Sequence, residues 1–138
     1  MAATPLIDDE AFITAVNNCQ LLPSEFGHLQ HLRLGWLQLR SAPLEMAIEE
    51  TCTALARFAT HYGAENKFHR TITEVLLRLM AQGGAMEPEK DWPCFLHCNQ
   101  ALVNDARSVL ARHYSPTLLA SDEARRHFLP PDRLPFNA

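Results

Sequence analysis

Phe26-Gly27-His28-Leu29-Gln30-His31-Leu32-Arg33-Leu34-Gly35-Trp36-Leu37-Gln38-Leu39-Arg40 is apolar around most of a helical wheel, the pattern of a helix that runs through the middle of a domain. At about 100° per residue, Leu29, Leu32, Trp36 and Leu39 fall together as a core stripe. His28, His31 and Gly35 line one margin of that stripe, and Arg33, Gln30 and Gln38 lie elsewhere. Two imidazoles three residues apart project from neighbouring positions on one helix face, within reach of a single ligand. Gly35 costs about 1 kcal/mol of helix propensity relative to Ala, and it leaves room for a close neighbour.

Working outward, the flanking segments also read as helices. Thr4-Pro5 or Asp8-Asp9 opens a first helix, which carries Phe12, Ile13 and Val16 and ends before Leu21-Leu22-Pro23. Ser24 is the expected N-cap of the central helix, which runs to about Arg40. Pro43 starts a third helix, in which Leu44, Ala47, Ile48, Thr51, Cys52, Leu55, Phe58, Ala59 and Tyr62 recur at three and four, and Gly63 supplies the stop. A fourth helix follows Asn66 and runs to about Ala81, ended by Gly83-Gly84. The polar, proline-bearing stretch from Ala85 to Pro93 reads as a loop and is the expected flexible segment or lid. Phe95 to His113 reads as a fifth helix. A short turn over Thr117–Ala120 and a last helix from Ser121 to about Phe128 come next. Residues 130–138 form a proline-rich tail that cannot continue a helix. No period-two run is long enough for a strand. The expected fold is all-α, a single-domain bundle of about five to six helices with short connections.

The fourth helix supplies the other half of a candidate site. Phe68, Ile72, Val75, Leu76 and Leu79 form its apolar stripe, His69, Thr73 and Met80 sit at the edge, and Arg70, Glu74 and Arg78 fall on the opposite, wet side. If this helix packs against the central one, His28, His31 and His69 converge. Three neutral imidazoles with an open position suit zinc, and an added carboxylate admits iron or manganese. Thr73 would orient His69 or a metal-bound water, and such a metal would generate a nucleophile or polarise a substrate oxygen. Trp36 and Arg33 stand beside this pocket, Arg33 either holding a carboxylate or pairing with the third helix. Tyr114 is a candidate pocket donor where the fifth helix ends, with Ser115 a cap for the next turn. The plain alternative is that the histidines are hydrogen-bonded structural groups. His61 and His113, near helix C-termini, read as dipole partners. Cys94, His97 and Cys98 share one helix face but lack an evident fourth ligand other than Cys52.

Composition narrows the partners. The 138 residues carry a formal charge of −4 with no block of Lys or Arg, so neither nucleic acid nor an anionic membrane is the expected partner. A chain of this length buries roughly 68% of its unfolded surface without staples. No apolar run approaches the roughly 20 residues that span a bilayer. Cys19, Cys52, Cys94 and Cys98 form no CxxC pairs, and a cytoplasmic location is the expectation. Neither a phosphate-binding glycine loop nor a GxSxG elbow is present.

Three motifs in order, Phe26-x-His28-x-x-His31-Leu32-Arg33-Leu34-x-Trp36-Leu37-x-Leu39-Arg40, Phe68-His69-x-Thr71-x-Thr73 and Tyr114-Ser115-Pro116-x-x-Leu119-x-Ser121-x-x-Ala124-Arg125 with Pro131-Asp132, resemble an uncharacterised family of small bacterial all-helical proteins. The resemblance spans about Phe26 to Pro135. It implies kinship, with no established activity, and singles out the same histidines and threonines. The family pattern favours Tyr-His-Glu-Thr where this chain has Phe68-His69-Arg70-Thr71, which implies an altered or inactive member if that glutamate has a chemical role. The expected function is a His-lined pocket for a divalent metal or a small polar ligand, with metal-dependent hydrolysis or oxidation as the reaction classes. The rival is a non-catalytic interaction module, which allows a homodimer.

Overall fold

The computed structural model describes residues 8–136, and every regular element among them is helical. The nine α-helices are α1 (Asp9–Asn17), α2 (His28–Ser41), α3 (Leu44–His61), α4 (Arg70–Met80), α5 (Trp92–Cys98), α6 (Gln100–Asn104), α7 (Ala106–His113), α8 (Pro116–Leu119) and α9 (Asp122–Arg126). The number exceeds the expected five to six mainly because the fifth helix breaks twice. At Asn99 the side-chain amide donates to the carbonyls of Phe95 (2.8 Å) and Gly83 (3.0 Å). At Asp105 the carboxylate accepts from the amide of Ser108 and caps a new helix. Both are short polar side chains that offer the backbone an alternative to helix continuation. No helix among the described residues is long and apolar enough to cross a membrane.

The start of α1 is fixed by Asp8, whose carboxylate accepts from the amide of Ala11 at 2.8 Å; the alternative start at Thr4-Pro5 lies outside the described residues. Ser24 does not cap the central helix. Pro23–Glu25 closes a 3-10 turn in which the Glu25 carboxylate accepts from Leu22 N at 2.8 Å, and α2 begins one turn later behind Gly27. Phe26 turns into the core between these two elements, its ring centroid 4.9 Å from that of Phe58. Leu29 therefore sits in the exposed first turn of α2 instead of the core stripe.

From Leu32 to Leu39 α2 is buried on nearly all sides and packs on α3 and α4. Gly35 marks the crossing with α4: a Cβ there would stand 3.3 Å from both Leu77 Cδ1 and Met80 Sδ. α3 stops at Gly63, whose φ of +69° is open to glycine at little cost. α4 ends in a π-helical turn, Ala81–Ala85, closed by Gly84 at φ +103°.

The expected lid is clamped. Arg40 donates to the carbonyls of Ala85 (3.3 Å), Glu87 (2.6 Å) and Pro88 (3.2 Å) while its guanidinium lies 4.5 Å from the Trp36 ring centroid. The tail is equally tied. Asp132 accepts from the amide and hydroxyl of Ser115, and Arg133 N donates to His113 O. His113 is buried and donates from Nδ1 to Leu134 O at 2.7 Å, so it serves as a latch for the tail.

Candidate ligand-binding cleft

The N-terminal turn of α2, the C-terminal half of α3 and the approach to α4 enclose a cleft of about 570 Å³, and His28, His31, His69 and Thr73 all line it. Its walls are mostly apolar: Phe26 from the turn before α2, Leu55 and Phe58 from α3, and Phe68, Ile72 and Leu76 at and along α4. Lys67 stands at the rim, in the 3-10 turn Glu65–Lys67. Among the described residues, no Asp or Glu lines it. The size suits a small organic ligand, since such sites occupy roughly 300–1,000 Å³.

The three histidines differ in what their rings have left to offer. His28 is the first residue of α2, and its Nε2 lies 3.1 Å from Leu102 O on α6. A carbonyl can only accept, so Nε2 donates there and Nδ1 is the nitrogen left for a ligand. His31 Nδ1 donates to Gly27 O at 2.8 Å, leaving Nε2 as the free acceptor. Its ring lies against Phe26, with centroids 4.2 Å apart. Burial lowers the His31 pKa, the Gly27 hydrogen bond opposes that shift, and the nearby His28 adds to it. His31 is thus held neutral in a partly apolar setting.

His69 has no nitrogen left. It is the N-cap of α4, accepting from Ile72 N at Nδ1 (3.1 Å) and donating from Nε2 to Leu119 O on α8 (2.8 Å). To bind an ion it would have to release both the cap and the tie to α8, so the expected ligand role for His69 does not fit this geometry. The wheel reading went astray because it placed His69 on the helix. Thr73 Oγ1 donates to His69 O at 2.8 Å, an i to i−4 bond that leaves its lone pairs facing outward from that contact. Among the described residues no group of three or more His, Cys, Asp and Glu side chains is arranged to hold a metal ion.

Three expected pocket residues lie elsewhere. Arg33 pairs with Asp9 of α1 at 2.9 Å, not with α3, and its guanidinium sits 4.4 Å over the Phe12 ring. Trp36 packs on Trp92 (5.5 Å) and Phe95 (5.1 Å), and with Arg33 it lines a separate, smaller cleft of about 240 Å³. Tyr114 is fully buried beside Val75 and Leu110, and its hydroxyl donates to Leu129 O at 2.6 Å. Burial, with the charge of Glu74 adding, pushes that phenol up to about 12, so it is a fixed structural donor. Cys52 is buried in the core with its thiol raised to about 11 by desolvation, while Cys94 and Cys98 are exposed.

The opposite side of α4 holds what the sequence reading missed. Glu74, placed on the wet side by the wheel, is buried at 5% exposure. Its carboxylate accepts from Arg70 (3.0 Å) and Arg78 (2.8 Å), one turn away on either side. Arg78 also pairs with Glu45 at 3.1 Å, and Arg70 with Glu49, both on α3. The five charges form a ladder that joins α3 to α4. Two arginines four residues to either side of a glutamate, facing a third helix with glutamates four apart, was the available signal.

Comparison with models of known protein families, with curated proteins and with solved structures finds no match to this chain. The reading of the cleft rests on its own residues.

Proposed function

We propose that the protein binds a small, largely apolar molecule in the cleft between α2, α3 and α4, with His28 and His31 as the hydrogen-bond acceptors that orient it. One observation carries this reading: a ring-lined cleft of about 570 Å³ in which both imidazoles are braced on backbone carbonyls and each keeps one nitrogen unengaged. Bracing fixes the tautomer and leaves the acceptor ready for an N–H or O–H of a ligand. Apolar walls supply the affinity and few polar groups the orientation, the usual division of labour in such sites. A neutral fluorescent probe, N-phenyl-1-naphthylamine, tests it. Its emission should rise with the parent protein and should fall away when Ile72→Trp fills the cleft. A probe signal unchanged by that substitution overturns the reading.

A second reading, a divalent metal such as zinc, iron or manganese on His28 and His31, is favoured by the same bracing, because metal-bound imidazoles commonly donate their other N–H to a carbonyl. Two nitrogens make an incomplete set, and the first turn of α2 is the positive end of its dipole, which opposes a cation. Metal content measured beside His28→Ala and His31→Ala decides it: stoichiometric metal lost in both variants would establish this reading over the first.

A further inference from the structure

We infer that the molecule taken by the cleft is an aromatic carboxylate, its ring held among Phe26, Phe58, Tyr62 and Phe68 and its charge placed at Lys67. The inference rests on the cleft being a ligand site and names the class of ligand. Three observations carry it.

The first is the wall chemistry. Phe26 and Phe58 approach at 4.9 Å between ring centroids and Phe58 and Tyr62 at 5.0 Å, both tilted, and Phe68 closes the side toward α4. A flat ring inserted there meets the edges and faces of several others, which favours an aromatic body over a branched aliphatic one. The Tyr62 hydroxyl donates to Leu21 O at 2.5 Å, so this residue offers its ring and not its oxygen.

The second is the sign of charge. Among the described residues the lining contains a lysine and no carboxylate, in a protein whose net charge is −4. Lys67 is in no salt bridge among the described residues, although Glu65 lies in the same short turn outside the lining. An anionic head meets attraction at this rim, and a cationic head meets none.

The third is the number of charges. Lys67 is the one Lys or Arg in the described lining, which matches a monoanion; a phosphate ester would call for an arginine or several converging donors. A hydroxyl elsewhere on the ring would find its acceptor at His31 Nε2.

The test is displacement of N-phenyl-1-naphthylamine by three matched compounds: 2-naphthoate, 2-naphthol and 2-naphthylmethylamine. A cleft acting through its apolar walls alone prefers naphthol, because desolvating a charge is costly. The expected result is that naphthoate displaces the probe at about tenfold lower concentration than either of the others, a size typical of one charge-assisted contact. Lys67→Met should remove that preference, and Lys67→Arg should keep it. Probe binding with naphthol or the amine ahead overturns the carboxylate assignment and leaves the cleft reading standing. No binding of the probe or of any of the three, by fluorescence and by calorimetry, overturns both.

Discussion

The two sides of α4 meet α3 by opposite means. On one side Arg70, Glu74 and Arg78 interlock with Glu45 and Glu49 and shut the seam between the helices. On the other, Ile72, Thr73 and Leu76 stand away from Leu55, Phe58 and Ala59 and leave a cleft. The same pair of helices is thus zipped along one edge and parted along the other. The charged edge is joined by directional contacts, while the cleft side is lined mostly by apolar side chains.

The sharpest way to break this contrast is to remove the middle rung. Glu74→Ala leaves two partly buried guanidinium groups without the carboxylate between them and should cost about 3 kcal/mol, read as a fall in urea midpoint. Glu45→Ala, at the exposed end of the ladder, should cost less than about 1 kcal/mol. Equal effects from the two substitutions would mean that the ladder is not a cooperative seam.

A smaller effect separates the histidines. His69→Ala removes a helix cap and strands the carbonyl of Leu119, and should cost about 2 kcal/mol. His69→Asn keeps a capping side chain and should recover about half of that. His31→Ala should change stability much less and instead weaken any bound hydroxyl compound. If His31→Ala were the more destabilising of the two, the division between a tying histidine and an offering one would be wrong.

Titration sharpens the same point with a still smaller signal. The His31 pKa is lower in the folded chain than the ordinary 6.5 because burial disfavours its charged form. The unfolded chain therefore takes up the proton first as the pH falls. Stability from this group is fully present above about pH 6.5, and it is lost as the pH drops from there through the depressed folded value. Chemical denaturation from pH 8 to pH 5 should show that slope in the parent and a shallower one in His31→Gln.

Much of this architecture can be read directly from the amino acids, and the exceptions have physical reasons. The period of α3, its glycine stop and the close approach at Gly35 follow from pattern alone, because each depends on one helix and its immediate neighbour. Glu74 does not, since a helical wheel assigns charge to water and cannot see compensating charges arriving from α3. His69 was placed on the wrong side of a helix boundary: a ring nitrogen that accepts from Ile72 N acts as a cap, a role that Ser, Thr, Asp and Asn usually fill. The breaks at Asn99 and Asp105 escaped for a related reason. Apolar spacing through Leu102, Val103, Ala106 and Val109 continues across them, while local side-chain bonds turn the backbone. His28, His31, His69 and Thr73 do line one cleft, as two packed amphipathic helices suggested, but His69 reaches it from the cap before α4 and not from the helix face.

The Arg40 clamp makes a prediction of another kind. Three main-chain carbonyl oxygens, from Ala85, Glu87 and Pro88, converge on a single planar cation that also lies over an indole. Deleting that side chain leaves a socket shaped for a free guanidinium ion. Arg40→Ala should therefore be open to chemical rescue: low concentrations of guanidinium, below those that denature, should raise its melting temperature where matched sodium chloride does not, and should do nothing for the parent. The loop that looks most like a moving part would then be a receptor for the side chain missing from α2.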